Sequence, residues 1–169
     1  MTDMPRMIRQ QQLTSSIAQQ LLQELNTGSG WDELSLEAVP VGDDISATVR
    51  QRTGDEVVSN AGVLARDLQL SKDVMSLREA TYEQGAGAWI SAVITISASG
   101  WPEPKLSPSA SFNYDSDPFA ANGAEATLSA ETLAADLTRF PRQRANIPQW
   151  VVDRIGAAGL EVPAMSAGE

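Results

Sequence analysis

Residues 88–99, AWISAVITISAS, alternate so regularly that little choice of conformation remains. Ala88, Ile90, Ala92, Ile94, Ile96 and Ala98 share one face at a repeat of two. Ser91, Thr95 and Ser97 fall on the other, together with Trp89 and Val93. The pattern predicts a strand with one buried and one mostly wet face. A single strand is not stable in water, so the rest of the chain must supply its neighbours.

It does so on both sides. In residues 31–41, Leu34, Leu36 and Ala38 alternate with Ser35 and Glu37, and Gly42-Asp43-Asp44 forms a turn into a second strand over 45–51. Thr53-Gly54-Asp55 reads as another turn, with 56–59 as a short third strand. After a Pro-rich turn over 100–104, residues 106–114 set Ala110, Phe112 and Tyr114 against Ser109, Ser111 and Asn113. Pro108 cannot donate to a sheet ladder, which puts the early part of this strand at an edge.

Helical spacing occupies the remainder. Leu13, Ile17, Leu21 and Leu25 recur every four positions through 8–26, with Leu22 widening the stripe, until Asn26-Thr27-Gly28-Ser29-Gly30 stops it. Between residues 64 and 82, Leu70, Val74, Leu77 and Thr81 mark a second helix. A third runs over 129–140, with Ser129 as N-cap and Leu133, Leu137 and Phe140 as its buried stripe; Pro141 ends it. Ile147-Pro148 opens a last short helix around Trp150, Val151 and Ile155. Strands come in neighbouring groups rather than alternating singly with helices. The prediction is an α+β fold in a single domain over 1–160, with a flexible C-terminal tail over 161–169. Its antiparallel sheet has about five strands, with an N-terminal helix, a middle helix and two C-terminal helices packed on it.

Composition narrows the chemistry. The 169 residues include no cysteine and no histidine. Disulfides, thiolate ligands and the usual general base are therefore out of reach, and any catalysis would fall to carboxylates, Lys or Tyr. With 22 acidic against 12 basic residues the net charge is −10, which repels nucleic acid and attracts basic proteins. Arg6 and Arg9 are not followed by an apolar signal segment, and no run of 18 apolar residues occurs. The expectation is a soluble, cytoplasmic protein with no membrane partner.

The stretch FNYDSDPF, residues 112–119, is the most suggestive of a site. Asp115 and Asp117, two apart, could share a hard cation as a metal-dependent transferase or hydrolase would require. Their position before Pro118 instead suggests a strand ending in a turn. The loops Gly28-Ser29-Gly30 and Gly85-Ala86-Gly87 lack the context of phosphate cradles and read as turns. Arg139, Arg142 and Arg144 sit where positive charge favours a helix C-terminus, with a docking contact as the alternative. Of Trp31, Trp89, Trp101 and Trp150, the expectation is that Trp89 and Trp101 are partly exposed for contact. Asp43 and Asp44 are the remaining obvious carboxylates. No constellation of catalytic residues, no metal site and no cofactor motif emerges.

The segments LREATYEQGAGAWISAVITISASG, FNYDSDPF and LAADLTRFPRQRANIPQWVVDRI, spanning about residues 77–155, carry a further signal. A helix ending before G-x-G-x-W and a long strand, an F-N-Y-D strand near a proline, and a helix closing in R-F-P-R and I-P-x-W resemble the immunity proteins of actinobacterial polymorphic toxin systems. The likeness is to the YezG-like antitoxin type, which includes the immunity factor for an NAD glycohydrolase, the tuberculosis necrotizing toxin. The resemblance implies no enzyme, but a protein that binds a cognate toxin domain, such as an NAD glycohydrolase or a nuclease, and occludes its active site. Asp43, Asp44, Trp89, Trp101, Asn113, Asp115 and Asp117 are then the expected contact residues. A secretion-system chaperone is the remaining alternative.

Overall fold

The structure is a computed structural model that describes residues 6–24, 29–42, 44–64, 68–119 and 128–164. Its elements are α1 (Arg6–Glu24), β1 (Glu33–Val41), β2 (Asp44–Thr53), β3 (Glu56–Leu64), α2 (Gln69–Thr81), β4 (Ser91–Ser99), β5 (Lys105–Asn113), α3 (Ala130–Arg139) and α4 (Gln149–Ala157). A 3-10 turn over Arg144–Asn146 precedes α4. The five strands form one antiparallel sheet in the order β3-β2-β1-β4-β5, the α+β arrangement the sequence predicts.

Register explains which residues are buried. Leu36 lies between Val49 of β2 and Ile94 of β4, and Ala38 between Ala47 and Ala92. That face meets Ile17 and Leu21 of α1 and Leu70, Val74 and Leu77 of α2 in the larger core, which Trp31 and Trp89 complete. Burying a Leu or Ile side chain here contributes about 1.5–3 kcal/mol. A polar clamp links the two helices: Ser16 and Gln20 donate to one oxygen of Asp73 at 2.7 and 2.5 Å, and Gln69 donates to the other at 2.9 Å. The opposite face shows Ser35, Thr48 and Thr95, all partly exposed, over most of its length.

A second core lies at one end of the sheet. Val39 and Ile90 meet Leu133 and Leu137 of α3 and Val151 and Ile155 of α4, with Phe119, Leu128 and Ile147 filling between. Ser129 caps α3 as predicted, accepting from the Thr132 amide at 3.1 Å.

Three sequence expectations change. β3 continues through Leu64 rather than ending at residue 59, because β2 offers it an unbroken ladder from Thr53 to Ile45 that outweighs the poor strand preference of Asn60 and Gly62. The strand alternation does not extend back to Ala88. β4 begins at Ser91, and before it Trp89 enters the larger core while Ile90 enters the smaller one. Trp89 is therefore fully buried, not the exposed contact residue expected from its place on the polar side of the alternation. Leu25, the first part of the glycine stop after α1, Asp43 and the last five residues of the tail lie outside the described residues.

Candidate functional site

The segments that carry the sequence resemblance meet at one end of the sheet. Antiparallel pairing brings the end of β1, the start of β4 and the end of β5 together, since Ala38 faces Ala92 and Ser91 faces Asn113. FNYDSDPF, the 85–88 loop and the chain before α4 are thereby neighbours.

Arg142 holds them together. Its guanidinium is buried and donates to three backbone carbonyls: Ala88 at 2.8 Å, Tyr114 at 2.9 Å and Asn146 at 3.0 Å. Desolvation pushes this guanidinium below its ordinary pKa, with Asp136 and Asp115 opposing the shift and Arg78 adding to it. It stays a cation at neutral pH. Gly87 makes room for it with a left-handed backbone, φ +95°. The loop is closed by paired backbone bonds, Glu83 N to Gly87 O at 3.2 Å and Gly87 N to Glu83 O at 2.7 Å. Gly85 O accepts from Gln143 N at 2.8 Å and from Asn146 Nδ2 at 3.0 Å.

Arg78 is the second buried guanidinium. It forms a two-pronged ion pair with Asp136 of α3, donates Nε to Trp89 O at 2.9 Å, and lies over the Phe140 ring at 4.7 Å. Trp89 in turn donates its indole N–H to Thr81 Oγ1 at 3.0 Å and stacks on Phe112. The glycine-loop tryptophan thus joins α2 to β5, and Arg78 carries the link on to α3.

FNYDSDPF is a folded turn. Asn113 Oδ1 accepts the amides of Asp115 and Ser116 at 3.1 and 2.9 Å, while Nδ2 donates to Ser116 O and Ser91 Oγ at 2.8 and 3.1 Å. One oxygen of Asp117 accepts the Phe119 amide at 3.0 Å and the other takes Arg154 at 2.9 Å. Trp150 donates its indole N–H to Asp115 O at 2.6 Å, and Arg154 lies over the Trp150 ring. The Asp115 side chain is exposed.

Between these parts opens a cleft of about 440 Å³ lined by Glu83, Ala86, Tyr114, Asp115, Arg142 and Asn146, among others. Two carboxylates line it and the buried Arg142 reaches it. Of the contact residues singled out in the sequence, Asp115 lines the cleft, while Asn113 and Asp117 hold the turn that carries it. Asp44 is at the same end of the sheet, at the start of β2, and Asp43 is outside the described residues. Trp101 is at the other end, in the turn between β4 and β5, where it donates to Trp31 O at 2.7 Å. The length of β1 separates it from the cleft by about 27 Å. Sequence reasoning overlooked Glu83, and it read Arg142 as a helix-end charge. No local sequence pattern points to either, since Arg142 meets backbone carbonyls and Glu83 is placed by the backbone pairing that closes the glycine loop.

Among the described residues, no group of three or more acids is placed to hold a metal, and no helix is long and apolar enough to cross a membrane. No protein-family model matches the chain, and no curated protein matches it.

Proposed function

We propose that the chain is an immunity-type protein: non-enzymatic, cytoplasmic, and suited to bind a basic toxin domain and cover its active site. The observation that carries this reading is the cleft at the end of the sheet. Glu83 and Asp115 line it, and its walls are fixed by Arg142, Arg78 and Trp150. A preformed, acidic recess suits a lysine or arginine of the partner, and rigid walls lower the ordering cost of binding. The net charge of −10 speeds encounter with a basic partner.

The competing reading, a divalent cation shared by Asp115 and Asp117, meets an obstacle in Asp117. Both of its oxygens are engaged, one by an amide and one by the Arg154 cation. If Mg²⁺ or Mn²⁺ nevertheless raised the thermal midpoint in proportion to dose, that reading would displace the first.

The direct experiment pairs the chain with a secreted toxin domain encoded beside its own gene. Co-expression should protect the cell. Glu83→Lys and Asp115→Lys together should slow association and flatten its salt dependence, with folding intact. Toxicity that persists despite co-expression overturns the immunity reading, and unaltered association overturns this cleft as the contact.

A further inference from the structure

We infer that a single small anion, of the size of chloride, binds in the recess between the buried guanidiniums of Arg78 and Arg142. This goes beyond the proposed toxin contact and does not depend on it. The recess measures about 20 Å³, and Arg78, Arg142, Thr132 and Asp136 supply its charged and hydroxyl groups. Most of the remaining lining is apolar, with Ile90 beside β4 and Leu133 and Val151 on the two C-terminal helices. Such a volume admits one atom somewhat larger than a water oxygen and is far too small for a metabolite.

Charge selects the occupant. Arg78 and Arg142 are both more than nine-tenths buried. One carboxylate, Asp136, lines the recess with them, and Arg78 binds both of its oxygens. Arg142 bonds to backbone carbonyls alone. Two cations and one carboxylate leave one positive charge over, and a buried charge is stable when it is paired. Burial disfavours the Arg142 cation and Arg78 adds to this, while Asp136 and Asp115 offset only part of it. An anion held between the two guanidiniums opposes both effects.

Donors to hold it are at hand. A guanidinium carries five N–H groups. Arg78 spends one on Trp89 O and two on Asp136, and Arg142 spends three on carbonyls. Two N–H groups on each therefore have no acceptor among the described residues. A cation is repelled here, and a water molecule can accept these bonds without neutralising the charge. Asp136 limits the occupant to one negative charge, which matches the single positive charge left over. The carboxylates of the cleft, Glu83 and Asp115, do not line the recess. Thr132 and Asp136 lie one turn apart on α3 and are partly exposed, which places the mouth of the recess between them.

The test uses the full wild-type chain with chloride, bromide and gluconate at one pH and one ionic strength, gluconate being too large for the recess. The thermal midpoint should rise as either halide replaces gluconate and then level off. The rise should reach about 5–10 °C once the halide exceeds its dissociation constant a hundredfold. Crystals grown in bromide should show an anomalous scatterer within hydrogen-bond reach of both guanidiniums. Three results overturn the proposal. One is a midpoint that is the same in chloride and gluconate, or that drifts with halide without levelling off. Another is a recess that holds water and gives no anomalous signal. The third is an anomalous peak with no saturable rise in midpoint, which marks an adventitious ion only. Both measurements are made on wild type, so neither depends on a variant that folds.

Discussion

The Cγ, Cδ and Nε atoms of Arg142 occupy the space that a Cβ on Gly87 would fill, so these two residues, 55 positions apart in the chain, specify each other. At φ +95° the Gly87 backbone is also one that side-chain-bearing residues rarely adopt. Gly87→Ala therefore adds backbone strain to a clash with a group that has no room to retreat. The expected loss is about 2–4 kcal/mol in a urea melt, and a change below half a kcal/mol would refute the arrangement.

Replacing Arg142 by lysine keeps the charge but not the planar fork that spans Ala88 O, Tyr114 O and Asn146 O. At least one buried carbonyl is then left without a partner. Arg142→Lys should cost about 2–3 kcal/mol, with Arg142→Met no better. Wild-type stability in the lysine variant would show that charge alone suffices.

The Arg78–Asp136 pair is asymmetric: the arginine side chain is 3% exposed and the aspartate 33%. Asp136→Leu strands a buried cation and should cost about 3–5 kcal/mol, while adding Arg78→Met removes the stranded charge and should recover part of that loss. A double-mutant cycle measures it. Strict additivity of the two changes would mean that the pair is not coupled.

Asn113 and Asp115 should separate structure from contact. Asn113→Ala abolishes the turn in which one side chain caps two amides, and should lower stability by about 1–2 kcal/mol. Asp115→Ala removes an exposed carboxylate and should leave stability within about half a kcal/mol. Chemical denaturation of the two variants side by side checks both.

What the sequence reveals is whatever repeats. Leu34, Leu36 and Ala38 at a period of two, and Leu133 and Leu137 at helical spacing behind Ser129, report their burial directly, because one face of each element meets one core. Trp89 is misread because two cores meet there. The chain sends Trp89 to one and Ile90 to the other, and a period of two cannot express that. Arg142 and Arg78 were illegible for another reason. Their partners are backbone carbonyls and an aspartate 58 residues away, and neither leaves a local pattern. Of the cleft, FNYDSDPF was visible as a strand running into a turn, whereas Glu83 joins it only through the closed glycine loop.

The strand order has a consequence for synthesis. β1 sits between β2 and β4, yet it ends at residue 41 and β4 begins only at residue 91, a gap of 50 positions. The first hairpin is complete at Thr53, 38 positions before Ser91, so at roughly 5–20 residues per second the nascent chain carries the unpaired side of its central strand for about 2–8 s after that hairpin has been made. Chains stalled before residue 91 should accordingly be cut by protease or held by chaperones, whereas chains released past β5 should resist both. A stalled N-terminal half as resistant as the full chain would mean that this side is covered by something other than β4.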